Sequence, residues 1–174
     1  MMILLTGGSA CGKSSYAEKI CTQMPLPRFY IAAMRPYGEG GMEKVQRHRE
    51  MRRGKGFETF ERYTDLTALE LPERGTVLLE CICNLTANEM FDDEGNCSDP
   101  FERVISGVEA LQKQCDTLIV VTNDVGTDCV AYDASTQAYI EVLGRINAEL
   151  AVRADSVCEL VCGIPLVLKG ELPG

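Results

Sequence analysis

A mostly parallel, doubly wound α/β sheet is predicted by three features of the sequence. An apolar opening run, Met1 to Leu5, leads into Gly7-Gly8-Ser9-Ala10-Cys11-Gly12-Lys13-Ser14, which satisfies G-x-x-x-x-G-K-[ST] at every fixed position. Strand-like and helical segments then alternate along the chain, the order of a parallel sheet with crossover helices. Several of the apolar runs end on polar residues, and such sheets place their ligands at the carboxyl ends of the strands. At 174 residues the expectation is one domain spanning 1–174.

Ile3-Leu4-Leu5 reads as a buried strand, and the residues from Ser14 continue as a helix whose N-terminal dipole faces an anion. Phe29 to Ala33 is a second buried run, followed by a Gly-rich stretch and a basic helical segment between Glu43 and Lys55. Thr76 to Glu80 is a third strand. Ser98-Asp99-Pro100 offers an N-cap with Pro in the first turn of a helix to about Gln114. Thr117 to Thr122 is the next strand. A helix over about Ser135 to Arg153 carries Tyr139, Val142, Leu143, Ile146 and Leu150 on one face. Val157 to Val161 and Leu166 to Leu168 form a closing pair of strands.

The formal net charge of −9 argues against a nucleic-acid or anionic-membrane partner, both of which select a positive field. No apolar run approaches the roughly 20 residues that cross a bilayer, so the expected location is cytoplasmic. Nine dispersed cysteines without a secretory signal read as reduced thiols, and a single histidine cannot complete a zinc site with them.

The loop motif points to a nucleoside triphosphate. Successive backbone N–H groups converge on phosphates, Lys13 reaches the terminal ones, and the Ser14 hydroxyl can ligate Mg²⁺. Lys44, Arg47, Arg49, Arg52, Arg53 and Lys55 concentrate positive charge in an acidic chain, as a phosphate-facing field or as a solvated helix face. Glu80 closes a buried run, where a carboxylate is either a Mg²⁺ partner or an exposed strand end. Thr122-Asn123-Asp124-Val125-Gly126 is a substrate loop or a turn. His48 is an ordinary surface or core residue, or a nucleophile. One helical turn separates it from Arg52, whose guanidinium could hold a phosphate while the neutral ring attacks phosphorus.

In this order the motifs resemble the bifunctional adenosylcobinamide kinase and adenosylcobinamide-phosphate guanylyltransferase family of cobalamin biosynthesis. The resemblance runs nearly end to end. It comprises residues 6–14, Tyr30-Ile31-Ala32, His48-Arg49 with Arg52, Thr59, Glu61, Leu78-Leu79-Glu80-Cys81 and Asn88. Val121-Thr122-Asn123-Asp124-Val125-Gly126, Gly144-Arg145-Ile146-Asn147 and Gly163-Ile164-Pro165-Leu166 complete it.

What the resemblance implies is a RecA-like domain, assembled as a homotrimer, that performs two reactions. One phosphorylates the hydroxyl of adenosylcobinamide with ATP or GTP. In the other, His48 takes GMP from GTP and passes it to adenosylcobinamide phosphate, giving adenosylcobinamide-GDP. By the same match, residues 7–14, the Ala32-Ala33-Met34 turn, Arg49-Glu50-Met51-Arg52, Glu61 and Glu80 line the nucleotide site. Lys13 acts in catalysis, and Mg²⁺ sits at Ser14 and Glu80. Two departures from the family pattern lie beside expected corrinoid-contact segments: Thr127-Asp128-Cys129-Val130-Ala131 lacks a Gly and a Pro, and residues 52–57 lack a Trp. A P-loop kinase without guanylyl transfer is the alternative activity, and a nucleotide-dependent switch is the non-enzymatic one.

Overall fold

The computed structural model describes residues 1–36, 46, 50, 52–92, 94, 97–126 and 130–173. Seven strands form one sheet: β1 (Met2–Thr6), β2 (Arg28–Ala32), β3 (Phe57–Glu61), β4 (Thr76–Glu80), β5 (Thr117–Val121), β6 (Ser156–Val161) and β7 (Ile164–Lys169). Their order across the sheet is β3-β2-β4-β5-β1-β6-β7. All neighbours are parallel except β6 and β7. The principal helices are α1 (Lys13–Gln23), α2 (Ile82–Met90), α3 (Phe101–Gln114) and α4 (Ala134–Arg153).

β4 and β5 are buried at every position, as their unbroken apolar runs require of strands covered on both faces. Ile3, Leu79 and Ile119 are fully buried, and each such side chain contributes about 1.5–3 kcal/mol of apolar transfer energy. α4 presents Val142, Leu143, Ile146 and Leu150 to this core, and the carboxylate of Asp133 caps its N-terminus by accepting from the Ser135 and Thr136 N–H groups. No described helix is long and apolar enough to cross a membrane.

Four expectations are corrected. α3 begins at Phe101 rather than with Pro100 inside its first turn, and Asp99 Oδ1 accepts the Phe101 N–H at 2.9 Å. The basic segment is not helical through Lys55: Arg53 to Gly56 form a turn that delivers β3. Lys55 leaves the field of positive charge to pair at 2.6 Å with Glu18, whose side chain is wholly buried on α1. Two elements, β3 and α2, are not marked by the apolar pattern of the sequence. β3 is an edge strand with exposed Glu58, Thr59 and Glu61, so it lacks an apolar run, while the buried positions 82, 86 and 90 of α2 repeat every four residues in a polar-looking stretch.

Sheet register decides where the site lies. Leu5 pairs with Val121, Val121 with Glu80, Glu80 with Ala32, and Ala32 with Glu61. One row across the carboxyl edge of the sheet therefore aligns three residues far apart in sequence, Glu61, Ala32 and Glu80, with the start of the Gly-rich loop.

Candidate nucleotide site

Between β1 and α1 the chain turns through conformations that side chains rarely adopt: Gly7 has φ 134°, Ala10 φ 58° and Gly12 φ 101°. A Cβ at Gly7 would lie 2.5 Å from the Leu160 carbonyl oxygen of β6, so glycine is required there for close packing as well as for φ. Cys11 C=O accepts the Gly163 N–H at 2.9 Å, and Gly7 C=O accepts the Asp124 N–H at 3.2 Å. The β6–β7 turn and the segment after β5 thus brace the loop from both sides. This gives the Thr122 to Gly126 motif a definite structural role.

Lys13 opens α1 and is only 5% exposed. Its ammonium donates to the carbonyl oxygens of Gly7 at 2.8 Å and Gly8 at 2.6 Å, and to Cys11 Sγ at 3.5 Å. The cation is held at the centre of a loop whose N–H groups and helix dipole also favour an anion. Gly8, Ser9, Ala10 and Gly12 are exposed, and Cys11 and Ser14 are half-buried, so this cradle is open to solvent.

Glu80 ends β4 and is buried. Its Oε1 accepts from the Ser14 hydroxyl, and its Oε2 accepts from the Tyr30 hydroxyl at 2.9 Å. The Glu80–Cys81 peptide is cis. Tyr30 is itself buried; burial first, and then the neighbouring Glu80 charge, push its phenol far above the ordinary range, so it remains a proton donor at working pH. Arg52 lies over the Tyr30 ring with its guanidinium carbon 3.4 Å from the centroid. It is 7% exposed, and its Nη1 is buried without a hydrogen-bond partner.

The Ala32-Ala33-Met34 turn is tied into the same region. Ala33 N–H donates to Glu80 C=O at 3.0 Å, Arg62 N–H donates to Ala32 C=O at 3.0 Å, and Asn88 Nδ2 donates to the carbonyls of Ala33 at 2.8 Å and Tyr63 at 3.0 Å. Met34 is half-buried beyond the turn. Glu61 accepts from Tyr63 OH at 2.9 Å. Glu50 is exposed and accepts from Gln46 at 2.9 Å. His48, Arg49 and Met51 lie outside the described residues, as do residues 127–129 of one departure.

Sequence reasoning assigned no role to Tyr30 or Asn88. Both stand in quoted motifs, but their partners are separated from them by dozens of residues, and only the fold supplies those partners. Thr122 donates to Asn147 Oδ1 at 2.7 Å, and the Asn123 N–H donates to Cys83 Sγ at 3.2 Å. A hydrogen bond with Cys81, then those from Asn123 and Thr122, hold the Cys83 thiol below the ordinary range, while Cys81 is raised by the same bond and by burial.

Ser14 and Glu80 bring a hydroxyl and a carboxylate into contact beside the loop, a pair of hard oxygen donors that fits Mg²⁺. Among the described residues no group of three or more His, Cys, Asp and Glu could hold a metal by itself. Mg²⁺ does not need such a group, since it keeps several waters and takes further oxygens from substrate phosphates. A polyphosphate placed at this cradle would meet the Lys13 ammonium, the loop N–H groups and the α1 dipole.

A family model described as cobinamide kinase / cobinamide phosphate guanyltransferase matches residues 3–168. The chain is 30% identical over 184 residues to the bifunctional adenosylcobalamin biosynthesis protein CobU of Escherichia coli (strain K12), covering 97% of this chain and 100% of that protein. It is 30% identical over 183 residues to CobU of Salmonella typhimurium, with 97% of this chain and 100% of that protein covered. CobP of Pseudomonas aeruginosa is 28% identical over 175 residues, with 98% and 99% covered. Among solved structures, the ATPase domain of G40P superimposes with TM-score 0.55 at 8% identity, covering 99% of this chain and 78% of that one. An ATPase from the type III secretion system of pathogenic bacteria gives TM-score 0.53 at 13% identity, covering 92% and 51%. These structural likenesses establish a RecA-like α/β fold.

Proposed function

The chain belongs to the cobinamide kinase / cobinamide phosphate guanyltransferase family, and from that premise we propose how its own residues divide the two reactions. It is an enzyme of adenosylcobalamin biosynthesis with kinase and guanylyltransferase activities. Residues 7–14 hold the triphosphate. In the kinase reaction Lys13 offsets the charge that develops on the transferred phosphoryl group as the adenosylcobinamide hydroxyl attacks the γ-phosphorus and ADP or GDP leaves. Ser14 and Glu80 would hold Mg²⁺, which would supply neutralisation of phosphate charge there.

In the second reaction, an imidazole nitrogen of His48 attacks the α-phosphorus of GTP and pyrophosphate departs with the bridging oxygen. A phosphate oxygen of adenosylcobinamide phosphate then displaces the imidazole, giving adenosylcobinamide-GDP. Arg49 and Arg52 neutralise phosphate charge, and the Ala32-Ala33-Met34 turn, Glu50, Met51 and Glu61 complete the nucleotide-binding set. The observation that carries the reading is the contact of Ser14 with Glu80, set beside Lys13 at the carboxyl edge of the sheet. A kinase without guanylyl transfer shares those residues but forms no covalent intermediate.

GTP labelled at the α-phosphate separates the two. Incubated with Mg²⁺ and then denatured, the protein is expected to retain label that survives alkali and is lost in acid, as a phosphorus–nitrogen bond requires. Absence of label, with ATP still consumed in the presence of adenosylcobinamide, would leave only the kinase.

The homotrimer and the cytoplasm belong to the same proposal. Ile164, Leu166, Val167 and Leu168 are exposed along the edge strand β7, a surface that a further copy of the chain would cover. Sedimentation is expected to give three times the 19.1 kDa chain mass, and a monomer at micromolar concentration would refute it. ATP and GTP as substrates and eight free cysteines among the described residues agree with a reducing, nucleotide-rich compartment.

A further inference from the structure

The hydroxyl and the ring of Tyr30 each engage a different charged residue of the site. The hydroxyl donates at 2.9 Å to Glu80 Oε2, the oxygen that Ser14 does not use. The ring lies under Arg52 at 3.4 Å. Tyr30 sits on β2 two positions before Ala32, which pairs with Glu80, and is only 4% exposed.

We propose that Tyr30 is a positioning residue for both charged groups: its hydroxyl fixes the carboxylate of Glu80, and its face holds the guanidinium of Arg52. The inference rests on the assignment of Ser14 and Glu80 to Mg²⁺ made above. A terminal carboxylate rotates broadly about its last torsion. Gripped at one oxygen by Ser14 and at the other by Tyr30, Glu80 has its plane defined before a nucleotide arrives. A phenylalanine would fill the same volume, and a buried hydroxyl is costly unless bonded, so the hydroxyl has its use in that bond.

The Arg52 end follows the same logic. A guanidinium stacked on an aromatic face is attracted to the ring without using its N–H groups. Stacking therefore leaves Nη1 buried and unpartnered over the middle of β2, a donor with hydrogen-bonding capacity still unused. Through one side chain, the carboxylate next to the loop and the guanidinium of the segment containing His48 are set relative to each other.

Calorimetric binding of guanosine 5′-(β,γ-imido)triphosphate, measured over a series of Mg²⁺ concentrations, tests this with Tyr30→Phe, Tyr30→Leu and Glu80→Gln. Tyr30→Phe is expected to raise the Mg²⁺ concentration for half-maximal affinity by about ten-fold, the loss of a hydrogen bond to a charged group. Tyr30→Leu should show that shift and, at saturating Mg²⁺, a further fall in affinity of about five-fold from the lost stack. Damage to the fold alone would lower the fraction of binding-competent protein without moving the Mg²⁺ midpoint. If Glu80→Gln moves the midpoint and Tyr30→Phe does not, Tyr30 is core filling and the proposal fails while the Mg²⁺ assignment stands. If Glu80→Gln leaves the midpoint in place, the assignment itself fails and the proposal falls with it.

Discussion

Replacing Lys13 with alanine is expected to reduce phosphorylation of adenosylcobinamide by about 100- to 1000-fold, the usual cost of removing one preorganised donor from a charge-developing transition state. The ammonium is buried against the loop that it serves, with Gly7 and Gly8 carbonyls as partners, so its position is set without a ligand. Alanine removes the only side-chain cation within the eight-residue motif and takes the ammonium from both carbonyls, leaving the Gly7 carbonyl its bond from the Asp124 N–H. Covalent labelling from GTP should fall as well, because both reactions use the same triphosphate cradle. Lys13→Arg should not restore the rate: a planar fork does not reproduce a compact point charge between two carbonyls. ADP release with adenosylcobinamide present measures the effect, with circular dichroism to verify the fold. A rate within five-fold of wild type would remove Lys13 from the catalytic residues.

For His48→Ala the expected result is a clean division of the two activities. Covalent GMP should vanish, and adenosylcobinamide-GDP formation should fall by on the order of 10⁴-fold or more, the scale seen when a nucleophile is deleted. ADP formation with adenosylcobinamide should persist, since attack of an alcohol on the γ-phosphorus does not pass through the imidazole. In wild type, labelling requires the neutral ring, because only neutral imidazole has the lone pair that attacks phosphorus. Label remaining on His48→Ala would assign the intermediate to another residue. Equal loss of both activities would indicate that the segment supports the nucleotide site as a whole rather than donating the nucleophile.

The parts of the site legible in the sequence are those whose physics is local. The loop was readable because Gly7, Gly12, Lys13 and Ser14 act within eight consecutive residues, and the buried strands because parallel strands covered on both faces must be apolar throughout. Position alone marked Glu80, since it ends such a run. Lys55 shows the opposite case. It belongs to the basic run by composition, yet it turns inward to Glu18, 37 residues earlier, a pairing that no local pattern encodes. β3 was illegible for a related reason: its backbone bonds come from β2, and its exposed side chains need no apolar alternation.

By itself the sequence determined the phosphate loop, the α/β alternation and the family motifs, because each depends on neighbours along the chain. Only the tertiary structure decided that Glu61, Ala32 and Glu80 share one row, that Tyr30 joins Glu80 to Arg52, and that β6 forces glycine at position 7. Strand order and register bring those groups together across 50 residues or more in the cases of Tyr30 with Glu80 and Ser14 with Glu80. Such contacts arise from how the sheet is wound, and no short window of residues carries that information.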